Sequence, residues 1–216
     1  MAVADGTNET SYDAPAVRYG YVAPMTDFDT EQGPRVLIVD DEKEVAEAYA
    51  LRLRGECSVA TAYGGREALS VIEDETVDIV LLDRHMPDIS GDDVLATLAE
   101  RAFDGRVVMV TAIDPEFDVL ELPFDDYLCK PITREDIHSV VDQQRQVLAY
   151  EILGEYFGAK STQTVLTAQT TPEQRQDHDQ FQAIRDRATR LERRARRLLA
   201  DDAVLSEFAG ISRDKR

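Results

Sequence analysis

The sequence has no tryptophan, two cysteines, four lysines and no long apolar run. Each scarcity excludes something. Cys57 and Cys129 stand alone, without the paired spacing of a metal or redox motif, so the usage fits a reduced, intracellular protein. No stretch approaches the roughly 18 apolar residues that span a bilayer, and the first residues lack the basic and apolar pattern of a secretion signal. A cytoplasmic location without membrane contact is expected. Lysine supplies only 4 of the 24 basic residues, against 43 Asp and Glu, for a formal net charge of −19. So much carboxylate with so little lysine points to a halophilic proteome, in which salt screens self-repulsion.

The charge is also uneven. Residues 1–132 hold 29 Asp and Glu against 10 Lys and Arg, whereas residues 133–216 hold 14 of each. An acidic first half repels DNA phosphates and anionic lipid, which excludes nucleic-acid binding through it. A chain of 216 residues has room for one domain of about 100–150 residues and a smaller module. Residues 1–33, rich in Asp, Thr, Gly and Pro without periodicity, are expected to form a disordered leader.

From 34 to about 150 short apolar runs alternate with helical patterns. Strands are expected at 35–40, 57–63, 77–83, 106–111 and 126–130. Between them lie a helix over 44–54 facing inward through Val45, Ala48, Tyr49 and Leu51, one after Gly64 and Gly65 carrying Ala68, Leu69 and Ile72, and one after Ser90 and Gly91 carrying Val94, Leu95 and Leu98. Strands alternating with helices of this length predict an α/β fold with a doubly wound, five-stranded parallel sheet.

A further helix starts at Thr133, a capping residue followed by Glu135 and Asp136 at the positive helix end. Its apolar face, Ile137, Val140, Val141, Gln144, Val147, Leu148, Ile152 and Tyr156, runs to about residue 157, longer than a crossover needs. The polar segment 160–170 reads as a connection. Thr171-Pro172-Glu173-Gln174 then fits a capping box with proline at the first helical position. Phe181, Ile184, Ala188, Leu191, Ala195 and Leu198 form a heptad seam that Leu205 and Phe208 continue towards Gly210. Residues 151–216 are therefore expected to form a helical hairpin or coiled coil, the seam packing on the 133–157 helix within a subunit or across a homodimer.

Four of the apolar runs end in polar residues. Run 36–39 leads into Asp40 and Asp41, run 77–82 into Asp83, run 107–110 into Thr111, and run 127–129 into Lys130. Open α/β sheets carry their chemistry beyond the carboxyl ends of the strands. Three carboxylates, a hydroxyl and an amine on one sheet edge suit phosphoryl transfer to a carboxylate. Asp83, with Met86-Pro87 and Gly91 after it, is the natural nucleophile. Asp40 and Asp41 crowd a second and third acid against it, and such a group needs a hard cation with oxygen ligands, best suited by Mg2+. Lys130 can pair with Asp83, and Thr111 can donate to a phosphate oxygen.

Val36-Leu37-Ile38-Val39-Asp40-Asp41-Glu42, Leu81-Leu82-Asp83 with Met86-Pro87, Val110-Thr111-Ala112 and Asp126-Tyr127-Leu128-Cys129-Lys130-Pro131 resemble, in residue, strand position and order, the receiver domain of two-component response regulators. The resemblance covers residues 34–150 and implies a flavodoxin-like receiver fold. It implies that Asp83 accepts phosphate from a sensor histidine kinase without being an enzyme beyond self-phosphorylation and autodephosphorylation. Asp40, Asp41, Asp83 and the backbone carbonyl of His85 would hold Mg2+, and Thr111 and Tyr127 would form a switch pair. The interval from Thr111 to Lys130 is short for the family, so a short fourth helix is expected between Pro115 and Pro123, and the family's dimer through that helix is not carried over. Phosphatases of the haloacid-dehalogenase type also use Asp, Thr and Lys, but place a second Asp two residues after a nucleophile on strand one. Glu42 occupies that place here.

The C-terminal segment, with Tyr150 and Gly154-Glu155-Tyr156-Phe157 before a further helix, resembles haloarchaeal regulators carrying a HalX-type domain. Its Arg185, Arg187, Arg190, Arg193, Arg194, Arg196 and Arg197 make DNA binding the alternative output. These arginines surround the helix instead of forming one stripe, and no helix-turn-helix signature accompanies them. A solvated basic helix is expected.

Overall fold

A computed structural model describes residues 33–112, 122–176, 178–199 and 205. Nearly all of the expected leader, and the expected short fourth helix, lie outside the described residues. Five parallel strands, β1 (Arg35–Val39), β2 (Ser58–Ala62), β3 (Ile79–Asp83), β4 (Arg106–Thr111) and β5 (Asp126–Cys129), form one sheet in the order β2-β1-β3-β4-β5. This is the flavodoxin-like doubly wound order, whose direction reverses between β1 and β3.

Residues alternate across each strand and so build two cores. Leu37, Val39, Val80, Leu82, Val107 and Met109 face one side and pack with α2 (Gly65–Asp74) and α3 (Gly91–Glu100) through Ala68, Val71, Val94, Leu95 and Leu98. Val36, Ile38, Ile79, Leu81, Val108 and Val110 face the other side, under α1 (Lys43–Leu53) and the start of α4 (Arg134–Gln169). On α1 the inward face is Ala46, Tyr49 and Leu53, while Ala48 and Leu51 are exposed. The expected face was rotated because the apolar residues of this helix form a weak stripe, and packing on β1 selects among them.

Thr133 caps α4 as expected, its side chain accepting from the Asp136 amide while Asp136 reaches back to the Thr133 amide. The helix does not stop near 157. It runs through the segment read as a connection, to Gln169. That segment contains neither glycine nor proline between Gly158 and Pro172. Its threonines turn their hydroxyls back onto the carbonyl four residues earlier, Thr162 to Gly158, Thr164 to Lys160 and Thr167 to Gln163, at 2.7–3.0 Å. Polar composition concealed a helix whose polar groups are satisfied locally.

Thr171 and Gln174 form the expected capping pair, but the helix they begin is the short α5 (Pro172–Gln176). The seam belongs to a separate helix, α6 (Asp179–Leu198). It packs antiparallel on α4 in a third core of Leu148, Ala149, Ile152, Leu153, Tyr156, Ala195, Leu198 and Leu205. Of the two arrangements left open by the sequence, the structure shows the pairing within one chain. No described helix is long and apolar enough to cross a membrane.

Leu198 is fully buried in that third core. Leu198→Ala should cost about 2–5 kcal/mol, as core truncations of leucine do, read as a fall in the denaturant midpoint of the full chain.

Candidate functional site

The reversal of strand order places the ends of β1 and β3 side by side. Asp40 follows β1, Asp83 ends β3, and one carboxylate oxygen from each of Asp40, Asp41 and Asp83 lies within 4.8 Å of the others. Asp40 and Asp83 are buried and Asp41 is exposed. Asp41 is thus the member of the cluster that faces solvent.

Two bonds from one amine hold the buried pair. Lys130 Nζ lies 2.8 Å from Asp40 Oδ2 and 2.8 Å from Asp83 Oδ1. The Glu42 amide donates to Asp40 at 2.9 Å, and the His85 amide donates to Asp83 at 3.1 Å. Burial pushes the Asp83 carboxyl above its ordinary value, against the opposing pull of Lys130 and the His85 amide. Burial pulls Lys130 down, but its bonds to Asp40 and Asp83 outweigh this and hold the amine firmly protonated. One cation balances two buried anions, so the cluster keeps an excess of negative charge. Three hard oxygen donors with surplus charge suit a divalent cation.

Backbone geometry sets the surroundings. Thr111 is fully buried at the end of β4, and its carbonyl accepts from the Lys130 amide at 2.6 Å, which fixes the lysine beside the strand ends. The Lys130-Pro131 peptide is cis. Tyr127 on β5 is partly buried, packs against the core shared with α2 and α3, and stands 5.9 Å from the Phe124 ring. The His85 side chain is exposed. The structure therefore brings Asp40, Asp41, Asp83 and Lys130 into one cluster, sets Thr111 on the same sheet edge, and keeps Tyr127 on the edge strand.

Gly91, expected in the loop after Asp83 and at the start of a helix, packs directly against the Asp83 backbone. A Cβ there would collide with the Asp83 carbonyl and the Arg84 Cα. The Gly91 amide also donates to the Arg84 carbonyl at 2.9 Å, closing the loop after Asp83. Its signal was the Ser-Gly pair eight residues beyond Asp83, which also reads as an ordinary cap.

Residues 36–142 match the response regulator receiver domain model, and residues 146–209 match the HalX domain model. The first match ends and the second begins within α4, so the two domains share one continuous helix. A candidate transcriptional regulator of Haloferax volcanii is 42% identical over 159 residues, 73% of this chain and 26% of that protein. The sensory transduction protein RegX3 of Mycolicibacterium smegmatis is 44% identical over 106 residues, 47% of this chain and 46% of its own length. The chain thus spans half or less of these relatives. The crystal structure of the signal receiver domain of a candidate LuxO repressor from Vibrio parahaemolyticus superposes with a TM-score of 0.54 at 27% identity, covering 57% of this chain and 98% of that one.

The raised Asp83 value has a consequence for stability. The folded state favours the neutral carboxyl, a contribution fully present below the ordinary carboxylate value and lost as pH rises through the raised one. At neutral pH without divalent cation the ionised Asp83 is therefore a net cost. Asp83→Asn, which leaves Lys130 paired with Asp40, should raise the thermal midpoint at pH 7 in a chelator, and the gain should vanish near pH 3.

Proposed function

We propose that this chain, a response regulator receiver domain joined to a HalX domain, works as a two-component response regulator with Asp83 as its phosphoacceptor. The reading rests on one observation above the rest: a buried carboxylate at the strand-order reversal, held with a second acid on a single lysine. Receiver domains are phosphorylated by sensor histidine kinases, and a kinase of that class is the donor here. An oxygen of Asp83 forms the bond to phosphorus as the nitrogen–phosphorus bond of the phosphohistidine breaks. The histidine leaves with the bonding pair and takes up a proton.

The residues divide the work by position. Asp40, Asp41, Asp83 and the His85 backbone carbonyl would hold Mg2+, which when bound neutralises charge on the phosphoryl oxygens. Lys130 keeps Asp83 oriented beforehand and pairs with a phosphoryl oxygen afterwards. Thr111 donates its hydroxyl to another such oxygen, and Tyr127 turns behind it as the second half of the switch. The product carries about −1.5 to −2 charge at neutral pH, which draws the donors towards Asp83 and alters the surface at β5. Helix α4 starts three residues after Pro131 and runs unbroken into the HalX domain, so it is the natural relay. The receiver unit is taken as 34–150, the leader as 1–33 and the output module as 151–216. A cytoplasmic location fits a kinase-coupled switch.

Incubation with a radiolabelled acyl phosphate and Mg2+ tests this directly. The parent chain should take up label, Asp83→Asn should fall to background, and chelation of Mg2+ should do the same. Equal labelling of the Asp83→Asn chain would remove Asp83 from the role.

A further inference from the structure

Asp78 stands at the opposite end of β3 from Asp83, just before the strand begins, and its side chain is completely buried. It is not isolated. Its Oδ2 accepts from the Arg35 amide at 2.8 Å, and Oδ1 accepts from Arg194 Nε at 3.0 Å and from Arg197 Nη2 at 3.1 Å. Arg197 also pairs with Oδ2 through its other nitrogen. Both arginines belong to α6, and both side chains are nearly buried, at 11% and 12% exposure. The arginine helix was expected to be solvated; these two residues correct that reading. Sequence could not show it, because the partner carboxylate lies more than 110 positions away.

Further bonds fit the same docking. Arg194 Nη1 lies 2.6 Å from Asp104 Oδ2, and Nη2 donates to the Asp104 carbonyl at 3.1 Å. Arg145 of α4 donates to the Leu198 carbonyl at 2.5 Å, satisfying the end of α6. Farther along the hairpin Arg187 pairs with Glu155 of α4 at 2.9 Å, whereas Arg196 pairs with Glu192 within α6 itself at 3.0 Å. Arg194 and Arg197 thus place their charge on carboxylates of the acidic half, while Arg187 and Arg196 pair within the hairpin.

We propose that the arginine-rich helix is a ligand of the receiver itself, and that Asp78 is its docking site. A buried carboxylate needs cationic partners, and only α6 supplies guanidinium groups to this one among the described residues. The consequence is a receiver and helical hairpin that form one body, anchored at the amino edge of the sheet. Asp78, just before β3, and Asp83, at its end, are five residues apart, on the order of 16 Å, so docking leaves the carboxylate cluster open. Arg194 and Arg197 are withheld from nucleic acid. The inference does not depend on phosphorylation.

Hydrogen exchange of the full chain, followed by mass spectrometry, tests it. In the parent, residues 188–198 should exchange as slowly as β3. In the double variant Arg194→Gln and Arg197→Gln those residues should exchange at least tenfold faster, while β1 and β3 keep their protection. Each single variant leaves one guanidinium on Asp78 and should fall between. Asp78→Asn should loosen the same helix; the arginine variants, which leave β3 untouched, carry the test should it unfold. Unchanged protection of 188–198 in the double variant would overturn the proposal. So would duplex DNA binding by the parent chain that the double variant loses.

Discussion

A single amine facing two buried carboxylates is the constraint on which the rest of this structure turns. Lys130 reaches Asp40 and Asp83 equally, and only the adjacency of β1 and β3 allows one side chain to do so. The order β2-β1-β3-β4-β5 supplies that adjacency, and its right-handed crossovers place helices on both faces of the sheet. The two alternating cores follow from this arrangement. The Lys130 backbone must also be delivered to the same edge, which the hydrogen bond to the Thr111 carbonyl accomplishes. Sheet topology, strand burial and site electrostatics are in this sense one problem.

The same strand carries charge at both ends. Asp83 lies at the carboxyl edge, sharing one lysine with Asp40 and standing beside the exposed Asp41. Asp78 lies at the amino edge, fully buried and saturated by a backbone amide and two guanidinium groups. One carboxylate stands in a cluster with surplus negative charge and the other in a saturated set of cationic and amide donors. The shared helix α4 joins the sheet to the hairpin, and the Asp78 contacts return the hairpin to the sheet, so the two matched domains touch through more than their linker.

Much of this was legible in the residues. Strands buried on both faces read as continuous apolar runs, so β1, β3 and β4 stood out, while the edge strands β2 and β5 are shorter or alternating and only partly buried. Thr133 and Asp136 announced the start of α4 by local capping chemistry. What escaped was of three kinds. Segment 160–170 looked like a connection because its threonines are polar, yet in a helix each hydroxyl bonds back to its own backbone. Gly91 was legible as part of the loop after Asp83 and as a helix start, but the collision it avoids with the Asp83 carbonyl is visible only in three dimensions. Arg194 and Arg197 looked solvated because pattern analysis sees the face of a helix and not a carboxylate on a distant strand.

The central claim, that the crowded acid at the end of β3 is the group that changes charge, is most directly tested by trapping the product. After treatment with an acyl phosphate and Mg2+, borohydride reduces an aspartyl phosphate to homoserine, and peptide mass mapping then locates it. The account predicts homoserine at position 83 alone. Homoserine at 40 or 41, or none at 83 in a chain that has taken up phosphate, would contradict it.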